Sequence, residues 1–508
     1  MNEKAIPLMI QGTHSDAGKS ALVTAVCRIF KQDGYKTAPF KSQNMALNSY
    51  ITVDGKEIGR AQGVQAEAAG IVATTDMNPI LIKPTGENQS QIVVHGKPYR
   101  NMKAGEYRQE FYEEGYKLIS ESYNRIAENY ERIIIEGAGS PAEVNLNDRE
   151  LVNMRVAQMA NAPVILVGDI EKGGVFASLV GTLQLLDPED RKRVIGVIIN
   201  KFRGDVSLLQ PGLDWFEEYT GVPVLGVVPY IQNLRIEAED SVVLSKYSSV
   251  QNTTKDLDIA VIRLPFISNF TDIDPLFEEA DCHVRFVKSL EELGEPDLII
   301  LPGSKNTIED MLFLQNTGLA NRILELVYKK DKMIFGICGG YQMLGDHISD
   351  PYEIESSRKE IPGLGLVPMK TTMTLNKTTV LSKGIAHFGD TRIPVEGYEI
   401  HMGETYVEEG WNHLIQLTDR SEGIITLDKK IIGTYFHGIF HNDLFREVVL
   451  NEIRGGKGLE PIENRASFAR KKEESFNLLA KVVRENIQLD RIKKMMEEYN
   501  ANHIHLSE

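Results

Sequence analysis

The chain has 508 residues, and at roughly 100–200 residues per domain that length predicts two to four domains. Apolar residues at 42% and charged residues at 25% are the proportions of a folded protein and exclude wholesale disorder or a low-complexity architecture. With 56 Lys and Arg against 72 Asp and Glu the net charge is −16, which argues against a broad nucleic-acid or anionic-membrane surface, so any anionic ligand must meet a local basic cluster.

In chain order, the opening MNEKAIPLMIQG reaches glycine and polar residues before a signal-peptide core develops, and no run approaches the roughly 18 apolar residues of a membrane span. The reading is a cytoplasmic enzyme, with homo-oligomer formation left open. The first strand, 6–10, leads into Gly12-Thr13-His14-Ser15-Asp16-Ala17-Gly18-Lys19-Ser20 and then the helix-like ALVTAVCRIF. A glycine-rich loop between strand and helix turns backbone N–H groups toward an anion, so Gly12, Thr13, Ser15 and Gly18 are predicted to cradle phosphates. Lys19 would reach the β/γ-phosphates and the Ser20 hydroxyl would ligate Mg²⁺, which makes ATP the expected nucleotide. Five residues separate the two glycines where the common pattern has four.

Lys41, ending the next strand-like stretch, is expected to reach the same phosphates. Glu136 closes the run RIIIE at 132–136 and places a carboxylate suited to Mg²⁺ at the strand end. Further strands are predicted at 162–168, 194–200 and 222–228, and Asn200 after the second of these is a candidate reader of the adenine edge. Alternation of such runs with helix-length stretches predicts a doubly wound α/β domain over 1–235, its binding crevice at the carboxyl ends of the strands. Lys172, Lys201 and Arg203 lie near those ends and are candidates to focus positive potential.

Residues 236–256 are polar and Ser/Thr-rich and read as a linker. A second α/β series spans 257–450, with strands at 257–265, 282–287, 297–303, 332–337 and, after a loop-rich excursion, 424–438. In KMIFGICGGYQMLG the strand meets a helix through Gly336-Ile337-Cys338-Gly339-Gly340, an elbow that exposes a nucleophilic thiol. The chain has only three cysteines, Cys27, Cys282 and Cys338, with no C-x-x-C pair, and its eleven histidines contain no H-E-x-x-H, so neither a disulfide scaffold nor a protein-bound catalytic zinc is expected. His437 in GTYFHGIF is the expected base for Cys338, with His441 as the fallback, and Gly303 and Gly339 are the expected oxyanion donors. From Arg446 onward the chain reads as helix; 470–499 carries eight basic and six acidic residues, too balanced for an anionic lipid surface, so the extension 451–508 is expected to dock on the second domain.

The deviant first loop resembles that of the dethiobiotin synthetase group of ATP-dependent ligases, and the elbow resembles class I glutamine amidotransferases. Together the anchors QGTHSDAGKS (11–20), PFKSQNMALNSY (39–50), EGAGSPAEVNL (136–146), GDIEKGGVFAS (168–178), LPGSKNT (301–307), FGICGGYQMLG (335–345), EGYEIHMG (396–403) and YFHGIF (435–440) resemble the cobyric acid synthase family along nearly the whole chain. The resemblance implies amidation of four peripheral carboxylates of adenosylcobyrinic acid a,c-diamide with ATP and glutamine, the corrinoid being a substrate and not a prosthetic group. The related a,c-diamide synthase and, in another class, a partitioning-type ATPase switch are the competing readings; the switch has no use for Cys338 and His437. Class I amidotransferases place Glu two residues after the histidine, and here that position is Ile439. Glu399, a backbone carbonyl, or no third group at all would then serve His437, and Ile439→Glu is expected to change little.

Overall fold

Runs such as Ile133-Ile134-Ile135 offer no polar face to water, so they are stable only within a sheet covered on both sides. In the computed structural model, which describes residues 5–86, 89–231, 249–250 and 254–504, they are completely buried. The chain divides into two packing units, Met1–Ala46 with Glu57–Glu237 and Lys472–Glu508, and Leu47–Lys56 with Ala238–Lys471. The expected linker at 236–256 lies largely outside the described residues.

The first unit is built on six parallel strands in the order Val224–Pro229, Val194–Phe202, Val164–Asp169, Ile6–Gly12, Arg132–Glu136, Thr37–Phe40. Strand order reverses at Ile6–Gly12, so the loop 12–18 leaves the sheet at the topological switch point, where adjacent connections diverge to opposite faces and open a crevice. A second sheet, absent from the predicted elements, joins Gln43–Met45, Ile80–Gly86, Gln89–Val94 and Lys97–Met102.

One expectation for this unit is overturned. The helices Phe468–Asn486 and Leu489–Ile504 do not dock their apolar stripe on the second unit. Leu479, Val483, Ile487, Ile492 and Met496 share a core with Leu8, Ile10, Leu22 and Val26 of the first. The choice follows from complementarity. Arg28 donates to Glu473 at 2.6 Å and to Asn477, Asp33 pairs with Arg484 and Lys493, and the Gln488 amide donates to the Leu225 carbonyl at 2.7 Å.

The second unit carries five parallel strands in the order Cys282–Val287, Leu257–Ile262, Leu298–Leu301, Met333–Ile337, Ile431–Thr434, with Ile424–Ile425 added antiparallel. The region read as a loop-rich excursion is instead a second sheet, dominated by the long antiparallel pair Met369–Phe388 and Thr391–Val407. Its signal was period two: Met369, Thr371 and Met373 are buried while Lys370 and Thr372 face solvent. Among the described residues no helix is long and apolar enough to cross a membrane.

Candidate active sites

In the first unit, four predicted residues converge because their strands are neighbours. Glu136 is 1% exposed; its Oε1 accepts from Ser20 Oγ at 2.8 Å and from Lys41 Nζ at 2.9 Å. Lys19 Nζ donates to the His14 and Gly139 carbonyls at 3.1 and 3.2 Å, so it is folded against the loop it serves. Asn200 Nδ2 donates to the Ala17 carbonyl at 3.0 Å, which fastens the loop from two strands away. Gly18 has φ +96°, and a Cβ there would collide with the Asn200 amide, so both backbone shape and proximity demand glycine.

Of the three outlying cations, Lys201 bonds the Asp16 carbonyl at 2.6 Å and Asp169 at 2.7 Å, and Arg203 pairs with Glu171 and covers the Tyr230 ring. Burial, then Lys172, Lys19 and Lys201, push the His14 pKa below its ordinary value. Asp169, which pairs with Lys201, acts in the opposite direction on His14.

Gln65 was not anticipated. It lies on the helix Arg60–Ala69, is fully buried, and donates to Glu136 Oε2 at 2.5 Å, while its Oε1 has no hydrogen-bond partner among the described residues. The Ser20 hydroxyl, the Glu136 carboxylate and this orphaned amide oxygen form an all-oxygen donor set, the chemistry that suits Mg²⁺. Sequence offered little signal, because the helix buries Arg60, Gln62 and Gln65 together with its alanines and shows no clean polar face.

In the second unit Cys338 has φ +53° and ψ −108° at the start of the helix Gly339–Met343, the strained turn expected of an elbow. Its Sγ approaches the Ile400 carbonyl at 3.5 Å. Close packing fixes the elbow: a Cβ on Gly339 would fall 2.8 Å from Ser304 N, and one on Gly303 would fall 3.3 Å from His437 Cε1. Gly303, Gly339, Cys338 and His437 are thus drawn together.

The group that orients His437 is Asp272. Its Oδ2 lies 2.7 Å from His437 Nδ1, its Oδ1 accepts from the Gly438 amide at 2.8 Å, and both side chains are buried. Burial opposes charge on His437, but Asp272 and the nearby Cys338 outweigh it and raise the pKa to about 10. Nε2, the nitrogen left for the thiol, has no hydrogen-bond partner among the described residues.

The expectations for a third member are corrected accordingly. Glu399 is held by Arg420 at 2.7 Å through both oxygens and by Ser382; burial alone would raise its pKa, but these partners and His401 bring it to about 2. Ile439 is fully buried in the apolar core, so Ile439→Glu would bury an unpaired carboxylate and is not a neutral change. His441 turns to the Thr271 carbonyl at 3.2 Å and does not replace His437. Asp272 lies in SNFTDIDPL, within the 3₁₀ turn Phe270–Ile273 and well past the strand Leu257–Ile262, where no strand-end position marked it in the sequence.

Residues 8–243 match the CobQ/CobB/MinD/ParA nucleotide binding domain, and residues 258–445 match the CobB/CobQ-like glutamine amidotransferase domain. The chain is 63% identical over 493 residues to the cobyric acid synthase of Geobacillus sp. strain WCH70, covering 97% of this chain and 98% of that protein. It is 60% identical to the cobyric acid synthase of Anoxybacillus flavithermus, with 99% of each chain covered, and 48% identical to that of Caldanaerobacter subterraneus subsp. tengcongensis, with 97% and 99% covered. The chain belongs to the cobyric acid synthase family. Both matched domains lie in this one polypeptide, a glutamine-hydrolysing, ATP-dependent amidating ligase.

Proposed function

We propose that this chain amidates the b, d, e and g carboxylates of adenosylcobyrinic acid a,c-diamide, using ATP, with Mg²⁺, and ammonia taken from glutamine. The observation that carries the glutamine half is the buried Asp272–His437 pair beside a strained cysteine elbow. Cys338 Sγ attacks the glutamine carboxamide, and His437 takes the thiol proton at Nε2 and returns it to the departing ammonia. Asp272 keeps Nδ1 protonated and stabilises the imidazolium. Water then hydrolyses the thioester to glutamate.

A carboxylate is a poor acyl donor, so the corrinoid carboxylate is first converted to an acyl phosphate with ADP leaving, and ammonia displaces the phosphate. Lys19 and Lys41 neutralise the transferring phosphoryl group, and Asn200 holds the loop around it. Ser20, Glu136 and Gln65 would hold Mg²⁺, which would supply charge neutralisation for the phosphoryl transfer. Lys41 then exchanges part of its bond to Glu136 for phosphate.

Purified protein incubated with the a,c-diamide, ATP and glutamine should give a product in which four OH groups have been replaced by NH₂, read by mass. Successive amidation on one ring requires the corrin to rebind in several orientations, so tri-, tetra- and pentaamides should be found free in solution before the hexaamide. A product that stops after one or two additions, or activity confined to cobyrinic acid itself, would reject the assignment in favour of the earlier diamide synthase.

A further inference from the structure

The segment Leu47–Lys56 follows the phosphate-site strand and Lys41 in sequence, yet it packs as part of the second unit. It forms a tight turn, in which the Thr52 amide donates to the Lys56 carbonyl at 2.8 Å and the Gly55 amide to the Thr52 carbonyl at 2.9 Å. Gly55 has φ +72°, and a Cβ there would lie 3.1 Å from the Thr379 carbonyl, so the turn seats closely on the long hairpin.

Two contacts of this segment reach the glutaminase residues. The Ser49 amide donates to Asn269 Oδ1 at 2.8 Å, and Asn269, at φ +51°, starts the 3₁₀ turn Phe270–Ile273 that carries Asp272. Ile51 packs with Tyr398 and Ile400 in a small buried apolar cluster. Both of those neighbours touch the reacting groups: the Tyr398 ring stacks on the His437 imidazole at 5.0 Å and 14° between planes, and the Ile400 carbonyl faces Cys338 Sγ. The sheet pairing of Tyr398 with His437 fixes the two backbones, and Ile51 packs in the same buried cluster as the Tyr398 side chain that stacks on the imidazole.

We propose that Ile51, presented by the segment Leu47–Lys56 and secured by the Ser49–Asn269 bond, is a positioning residue of the glutaminase centre, buttressing the side chain that stacks on His437 and the backbone that faces Cys338. This rests on the reading of Cys338 and His437 as the glutaminase pair. Ile51 touches no reacting atom; it acts through Tyr398 and Ile400. Loss of its side chain frees the Tyr398 ring and widens the distribution of His437 orientations, which slows proton transfer without altering how glutamine is bound.

The test uses the full-length chain with Ile51→Ala and the conservative Ile51→Val. Three quantities are read: steady-state glutamine hydrolysis, amidation driven by high ammonium, and the pH dependence of Cys338 alkylation by iodoacetamide. Since a misplacement of about 1 Å can cost up to about a hundredfold, Ile51→Ala should lower kcat for glutamine hydrolysis about tenfold with KM within about twofold. It should also displace the alkylation pH profile and leave ammonium-driven amidation intact, while Ile51→Val restores most of the rate. Unchanged kcat and alkylation profile in Ile51→Ala would overturn the proposal. So would a rise in KM alone, or a parallel loss of the ammonium-driven reaction, which marks general unfolding. Undiminished glutamine hydrolysis in Cys338→Ala would instead remove the reading beneath it.

Discussion

At the scale of single residues, one buried hydrogen bond decides the chemistry of the elbow. Asp272→Asn keeps the shape but lets His437 Nδ1 face an amide that can donate, so the imidazole is no longer held in the tautomer that leaves Nε2 free to accept. Glutamine hydrolysis should fall by roughly 10²–10⁴ while ammonium-driven amidation persists, measured by glutamate release and by product mass. Because Asp272 is a main cause of the raised His437 pKa, the same variant should lose the imidazolium at lower pH than the wild type, read from the pH profile of thiol alkylation. Glu422 makes stability depend on pH. Burial raises its pKa to about 7, even though Thr434 and the Tyr435 amide bond to the carboxylate. A folded pKa above the unfolded one gives a contribution fully present below about pH 4.5 and lost as pH rises through 7. Asp310, raised to about 7 by burial despite its bonds from Ser304 and the Phe266 amide, acts in the same direction. The melting temperature of the chain should therefore fall between about pH 5 and 8, and Glu422→Gln should flatten that fall by removing a penalty of about 3 kcal/mol.

At the scale of elements, the tail helices show how packing overrides position in the chain. An amphipathic stripe specifies that a helix must cover something; it does not specify what. Here the stripe completes the core on one face of the first sheet, with Leu479 and Val483 almost entirely enclosed. Leu479→Ala should cost about 2–5 kcal/mol and lower the denaturation midpoint, because the cavity opens in a core walled by the sheet strands and the helix Lys19–Gln32. The cooperative loss should track ATP-dependent turnover on heating, and an unchanged midpoint would show that the helix is peripheral to that core. The long hairpin teaches the complementary lesson. Its alternation of Met369, Thr371 and Met373 with exposed polar residues was present in the sequence but sat in a stretch rich in Lys and Thr, where turn signals and β signals compete.

At the scale of the whole molecule, two half-reactions are assigned to different sets of residues in one chain, and variants should separate them. Lys19→Ala should abolish ATP-dependent amidation, since the lysine stabilises charge on the transferring phosphoryl group, yet leave measurable glutamine hydrolysis. Cys338→Ala and His437→Ala should do the reverse, losing glutamine-dependent synthesis while accepting ammonium at raised pH. Full synthetic activity in the Lys19 variant, or no rescue of folded Cys338 and His437 variants by ammonium, would break this division.

The sequence by itself determined the two α/β series, the glycine-rich strand–loop–helix turn and the cysteine turn, because each depends on neighbours in the chain: a strand, a turn with small residues, a helix. Lys41, Glu136 and Asn200 were legible for a related reason, since a polar residue at the carboxyl end of a buried strand has only the crevice to occupy. What only the tertiary structure decided are the partners that meet across long separations. Asp272 stands 165 residues before His437, and Glu399, although its strand pairs beside that histidine, is taken by Arg420. Gln65 reaches Glu136 from a helix with no polar face to announce it, Ile51 reaches Tyr398 from a segment that follows the phosphate-site strand, and the tail helices close the core of the unit that begins the chain. Local sequence sets which groups are presented, but side-chain pairing energies depend on distance and burial, and those exist only once the sheets have formed.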